Sequence, residues 1–173
     1  MKPITFTCEE TLGILPEDIV RQILDLANWT DFKGYGLVPG ISSAEFESCT
    51  PDVVGSRIRV TNTDGSSHVE EIVEWHPEYR LRLHMQDFSA PLSGLVTRFV
   101  ETWEFQRIDS GTRVVRSFEL HAKFAFTRPV VWLISILLKR AISRHLMQMR
   151  DTNSARQACP NGVWERGDES RTP

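Results

Sequence analysis

Residues 95–124 read LVTRFVETWEFQRIDSGTRVVRSFELHAKF, and the fold follows from how this stretch alternates. Successive side chains of a strand point to opposite faces, so parity sorts them. Val114, Phe118, Leu120, Ala122 and Phe124 are apolar at even positions, while Arg113, Ser117, Glu119, His121 and Lys123 occupy odd ones. Asp109-Ser110-Gly111 separates the two runs and is a hairpin signal, because glycine supplies the positive φ that a tight turn needs. The pairing predicted by that turn brings Phe99, Glu101, Trp103 and Phe105 onto the face that carries the even set.

Upstream, residues 41–49, 57–62, 69–75 and 81–87 have strand composition. Thr63-Asp64-Gly65-Ser66 and His76-Pro77-Glu78 mark turns between them. At the start, residues 4–12 read as a strand. Pro16-Glu17-Asp18 then opens a helix, with proline in the first turn and acids at the positive end of the dipole. Asn28 to Phe32 reads as a second short helix. Downstream of Pro129 the period changes: Val131, Ile134, Leu138, Ala141, Ile142, His145 and Met149 recur at three and four, predicting a long helix to about Arg150. The order is strand, two helices, six strands, long helix. Segregated strands and helices indicate an α+β domain with one antiparallel seven-stranded sheet, and the last helix is the available cover for its apolar face. Residues 1–150 form the expected domain. Residues 151–173, polar and rich in breakers with Trp164 as the one large apolar anchor, are expected to form a flexible tail.

The 20 basic residues are outnumbered by 23 acidic ones, for a net charge of -3, which argues against a nucleic-acid partner. Cys8, Cys49 and Cys159 are scattered and odd in number, so no disulfide framework or Cys-x-x-Cys pair is present and a reducing, cytoplasmic setting is expected. No histidine and cysteine spacing suits zinc, so neither a metal nor a cofactor is expected. The longest apolar run, residues 129–138, is too short for the ~20 residues of a membrane-spanning helix. The glycine loop from Gly34 to Gly40 lacks the lysine and the strand-turn-helix setting of a phosphate loop.

Four short stretches, taken in order, resemble those of one superfamily. Leu15-Pro16-Glu17-Asp18-Ile19-Val20 is similar to its first helix start. Val54-Gly55-Ser56-Arg57-Ile58 resembles its entry to the third strand. Glu74-Trp75-His76-Pro77-Glu78-Tyr79-Arg80-Leu81 and Gly111-Thr112-Arg113-Val114 resemble two of its hairpins. The family is the helix-grip superfamily of START-related, polyketide cyclase-like and Bet v 1-like proteins, and the resemblance covers residues 4–150. It implies a curved seven-stranded sheet wrapped around the long C-terminal helix, with two short helices after the first strand, and an internal cavity for a small hydrophobic, lipid-like or polyketide-like ligand. It also implies that the loop holding Tyr35, Leu37 and Val38 borders the entrance as a gate.

The expected cavity wall follows from parity. Trp75, Leu83, Met85, Asp87, Phe99, Glu101, Trp103, Arg116, Phe118 and Leu120 are assigned to it from the sheet, and Leu138, Ile142 and His145 from the last helix. Ile58 and Val60 are placed with Val69, Glu71, Val73 and Trp75. The charged members are the informative ones, because a buried charge must pair, stay wet or meet a ligand. Either Glu101 and Arg116 are structural, or they orient a ligand. If a reaction occurs, Glu71 and Glu101 are the candidate general bases, since burial raises a carboxylate pKa. The last helix adds Arg128, Lys139, Arg140, Arg144 and Arg150 without a single acid between them, and its first half is apolar nearly all round. That pattern suits packing on a second subunit of a homodimer or transient contact with an anionic membrane surface. Three functions remain open: a carrier of a hydrophobic small molecule, a cyclase or aromatase using pocket carboxylates, and an interaction module working through the last helix.

Overall fold

The computed structural model describes residues 1–158. Strand β1 (Ile4–Leu12) leads into helix α1 (Pro16–Leu24) and a 3-10 helix (Leu26–Asp31). Six strands follow: β2 (Ile41–Ser48), β3 (Arg57–Asn62), β4 (Ser67–His76), β5 (Arg80–Gln86), β6 (Val96–Ile108) and β7 (Gly111–Ala122). The long helix α2 (Arg128–Ala158) closes the described chain. The sheet order is β1-β7-β6-β5-β4-β3-β2, antiparallel throughout, so β1 and β2 are consecutive in sequence but lie at opposite edges. This is the antiparallel α+β sheet that the alternation and turns predict, in the helix-grip arrangement that the family resemblance implies.

The β6–β7 hairpin pairs as read: Phe99 faces Leu120, Glu101 faces Phe118 and Trp103 faces Arg116. Gly111 cannot be replaced there, since its φ is +128° and a Cβ would stand 2.2 Å from the Leu12 carbonyl oxygen. Phe6 of β1 pairs with Phe118 and stacks on its ring, 5.0 Å between centroids. Helix α2 lies along β1, burying Val131, Ile142 and Leu146, and Ser143 donates to the buried Cys8 sulfur at 3.3 Å.

Two expectations need correction. Strand β4 carries a bulge after Ile72: Ile72 faces Leu83, but Glu74 faces Arg82 and Trp75 faces Leu81. One extra residue flips the parity. Below the bulge the inner residues are therefore His68, Glu70 and Ile72, in phase with Ile58 and Val60 of β3, and Val69, Glu71 and Val73 take the opposite face. Helix α2 also runs eight residues past the expected end at Arg150, reaching Ala158. A tertiary contact carries it through Asp151-Thr152-Asn153-Ser154, a poor helix sequence: Asn153 is buried and accepts a hydrogen bond from Gln22 Nε2 at 2.9 Å. The remainder of the expected tail, including Trp164, lies outside the described residues. Among the described residues, no helix is long and apolar enough to cross a membrane.

Phe118 is 1% exposed at the crossing of β1, β7 and α2. Phe118→Ala is expected to cost roughly 3–5 kcal/mol in urea unfolding, while Phe46→Ala, on the exposed edge strand, shifts the midpoint little.

Candidate functional site

A cavity of about 490 Å³ separates the middle of the sheet from α2. The sheet supplies Leu83, Met85, Phe99, Trp103 and Phe118 as its floor, and α2 supplies Ile134, Leu138, Ile142 and Met149 as its roof. Ile23, Trp29 and Phe32 close one side, and the segment from Phe88 to Leu95 closes another.

The loop from Gly34 to Gly40 is held by backbone. Tyr35 and Val38 exchange two hydrogen bonds of 2.9 and 3.0 Å. Gly34 makes the turn at φ +71°, where a Cβ would meet the Val38 carbonyl oxygen at 2.2 Å. Of the three residues assigned as a gate, Leu37 and Val38 line the cavity and Tyr35 does not. The Tyr35 ring instead lies under the Arg144 guanidinium, 4.5 Å from the centroid, which pins the loop to the outside of α2.

The polar end of the cavity is a three-residue chain. Arg116 is 5% exposed and Glu101 2% exposed. Arg116 Nε donates to Glu101 Oε1 at 2.7 Å, and Arg116 Nη2 also reaches that oxygen. The guanidinium lies 3.9 Å above the Trp103 ring centroid. Its Nη1 stands 3.1 Å from His145 Nδ1. Arginine can only donate, so Nδ1 accepts and the single proton of a neutral imidazole sits on Nε2. The ring of His145 is further held edge-on by Phe32, 5.7 Å between centroids. The Trp103 indole N–H is buried beside the Glu101 carboxylate without reaching hydrogen-bond geometry with any described group.

A second polar pair shares the wall. His68 Nε2 lies 3.1 Å from Glu70 Oε1, with Glu70 5% exposed. Both line the cavity and were not among the expected residues, because the bulge at Val73 hides their parity. Glu71, one of the two candidate bases, faces the other side, where it accepts from Gln86 Nε2 at 2.9 Å and pairs with Arg57. Asp87 also lies off the cavity: its backbone turns at φ 54° and its carboxylate meets Arg57 Nη2 at 3.0 Å. Trp75 and Leu120 are inner-face residues packed into the core rather than the cavity wall. The other assigned residues, Leu83, Met85, Phe99, Glu101, Trp103, Arg116, Phe118, Leu138, Ile142 and His145, do line it. Among the described residues, no three His, Cys, Asp or Glu side chains gather as a metal would require.

Burial lifts the Glu101 carboxyl from 4.5 to about 7, against the pull of Arg116 and with help from the Glu70 charge. Burial, seconded by Arg116, pushes the His145 imidazole from 6.5 down to about 3. A carboxyl with a raised folded pKa binds more protons folded than unfolded, so its cost is absent below pH 4.5 and grows as pH rises to about 7. A histidine with a lowered folded pKa costs nothing above pH 6.5 and progressively more as pH falls toward 3. Between pH 4.5 and 6.5 the two effects oppose each other. In that window the stability of Glu101→Gln should rise more steeply with pH than that of the wild type, and the stability of His145→Phe less steeply. Each change of slope should reach at most about 1.4 kcal/mol per pH unit. Changes of one sign in both variants, measured by urea titration against the wild type, would contradict this assignment.

Comparison with known proteins places the architecture. The family model described as "Polyketide cyclase / dehydrase and lipid transport" matches residues 3–152. No curated protein matches the chain. Solved structures share the fold at low identity. TTHA0849 from Thermus thermophilus is 20% identical, with a TM-score of 0.66 over 88% of this chain and 98% of that one. A START superfamily protein from Mycobacterium smegmatis is 11% identical, with a TM-score of 0.65 over 88% and 99%. Ara h 8.0201 is 18% identical, with a TM-score of 0.57 over 84% and 98%. With the family model spanning nearly the whole described chain and the helix-grip sheet and helix in place, this protein belongs to the polyketide cyclase / dehydrase and lipid transport family.

Proposed function

We propose that the chain binds a small hydrophobic molecule, lipid-like or polyketide-like, between the sheet and α2. The observation that carries this reading is the cavity of about 490 Å³, with a largely apolar floor and roof and two fixed polar groups on its wall, Glu101–Arg116–His145 and His68–Glu70. That combination of size and lining is typical of small-molecule sites. Leu138 lines the cavity from α2, so Leu138→Trp should fill part of it. Titration with the uncharged fluorophore N-phenyl-1-naphthylamine should saturate in the wild type, and the variant should bind at least about tenfold more weakly with an unchanged circular dichroism spectrum. No saturation in the wild type would count against a ligand-binding role.

A catalytic reading has one specific support. Glu101 sits at the cavity with its carboxyl lifted to about 7, which suits proton transfer near neutrality. A cyclase or aromatase of the polyketide type would use it as general base. Glu101→Gln that binds a poly-keto substrate but no longer turns it over would assign that role, and unchanged turnover would remove it.

Delivery by membrane contact is supported by the surface at the rim of the cavity. Leu37, Val130 and Leu133 line the cavity yet are 87%, 47% and 51% exposed. Trp132 and Phe126 are further exposed apolar side chains at the start of α2 and just before it, and Arg140 and Arg144 are exposed later on the same helix. Trp132→Ala combined with Leu133→Ala should reduce co-sedimentation with phosphatidylserine-containing vesicles several-fold. Equal binding by the double variant would shift weight to a protein partner or a second copy on this face.

A further inference from the structure

Charge is unevenly distributed around the cavity. Among the described residues that line it, Arg116 is the sole lysine or arginine, against Asp31, Asp64, Glu70 and Glu101. Each guanidinium nitrogen of Arg116 also has a partner. Nε and Nη2 go to Glu101 Oε1, Nη1 goes to His145 Nδ1, and the flat face covers Trp103. Within the Glu101–Arg116–His145 trio, two side-chain atoms make no described hydrogen bond. Glu101 Oε2 accepts from no described residue, the Trp103 N–H beside the carboxylate falling short of bonding geometry. His145 Nε2, which carries the imidazole proton, donates to none. One is an acceptor and the other a donor, and the same guanidinium holds both side chains.

We infer that the cavity selects an uncharged ligand whose polar head is a hydroxyl, seated between Glu101 Oε2 and His145 Nε2–H. This rests on the ligand-binding reading above and narrows it to a substrate class. A hydroxyl donates one hydrogen bond and accepts others, so it satisfies both free atoms. A carboxylate would accept from His145 but would set a further negative charge beside Glu101 and Glu70, while Arg116, the one lysine or arginine among the described lining residues, is already ion-paired with Glu101. A buried charge left without a partner is strongly disfavoured. An ammonium would attract Glu101, but it would present donors to the His145 N–H and repel Arg116. A hydrocarbon end would leave both polar atoms without partners in a cavity it had emptied of water.

Four compounds on one ring test this: naphthalen-2-ylmethanol, 2-naphthoate, naphthalen-2-ylmethylammonium and 2-methylnaphthalene. Calorimetric titration of the wild-type protein at pH 8 should rank the alcohol first, by about tenfold over the carboxylate and the ammonium. It should also bind clearly more tightly than the methyl compound. In His145→Phe, checked for folding by circular dichroism, the alcohol should fall to the level of the methyl compound. A wild-type protein that holds the carboxylate, the ammonium or the methyl compound as tightly as the alcohol overturns the head-group inference while leaving apolar binding intact. Failure of all four to bind overturns the ligand-binding reading itself. Both of these outcomes are read on the wild-type protein, so neither depends on the variant's folding.

Discussion

A single helix cannot cover the inner face of a seven-stranded sheet. Strands lie about 4.7–4.9 Å apart, so six intervals span roughly 29 Å, whereas a helix with its side chains is about 10–12 Å wide. Here α2 covers the β1–β7 side, where the Cys8 thiol donates to the Lys139 carbonyl. The central strands curve away and their inner residues face open space. The cavity is that remainder. The 3-10 helix, the Gly34–Gly40 loop and the segment from Phe88 to Leu95 do not create it; they close what the width mismatch leaves.

Most of this geometry is legible in the sequence because alternation and turn chemistry are local. The β6–β7 hairpin is the best case: one Asp-Ser-Gly turn fixes the register, and the register fixes Glu101, Trp103, Arg116 and Phe118 on one wall. Strand β4 is the opposite case. His68, Glu70, Ile72 and Trp75 share a face only because a bulge intervenes, and Val69, Ile72 and Val73 are apolar on both parities. Alternation is uninformative where both phases are apolar, so Glu71 and Glu70 exchange places relative to the sequence reading. Tyr35 and the end of α2 depend on long-range contacts, such as those with Arg144 and with Gln22, that no local pattern announces.

The buried polar chain is built on opposed tendencies. Desolvation drives Glu101 toward its neutral form, and Arg116 resists. The same arginine helps hold His145 neutral and decides which nitrogen carries its proton. One cation thus keeps a carboxylate partly ionised and an imidazole uncharged, at a site where either group alone would be costly. Its own charge is spread over Trp103, which costs no further hydrogen-bond acceptor.

The placement of β1 bears on how the chain is made. Among the described residues its only sheet partner is β7, and the register joins Ile4 to Leu120. A ribosome adding about 5–20 residues per second needs on the order of ten seconds to supply that partner. Throughout that interval Ile4, Phe6, Cys8 and Leu12 have no strand beside them, and β2 to β6 can pair only with one another. The sheet is therefore completed late, by the closure of a long loop, and the nascent amino-terminal strand is the segment most in need of a chaperone's cover.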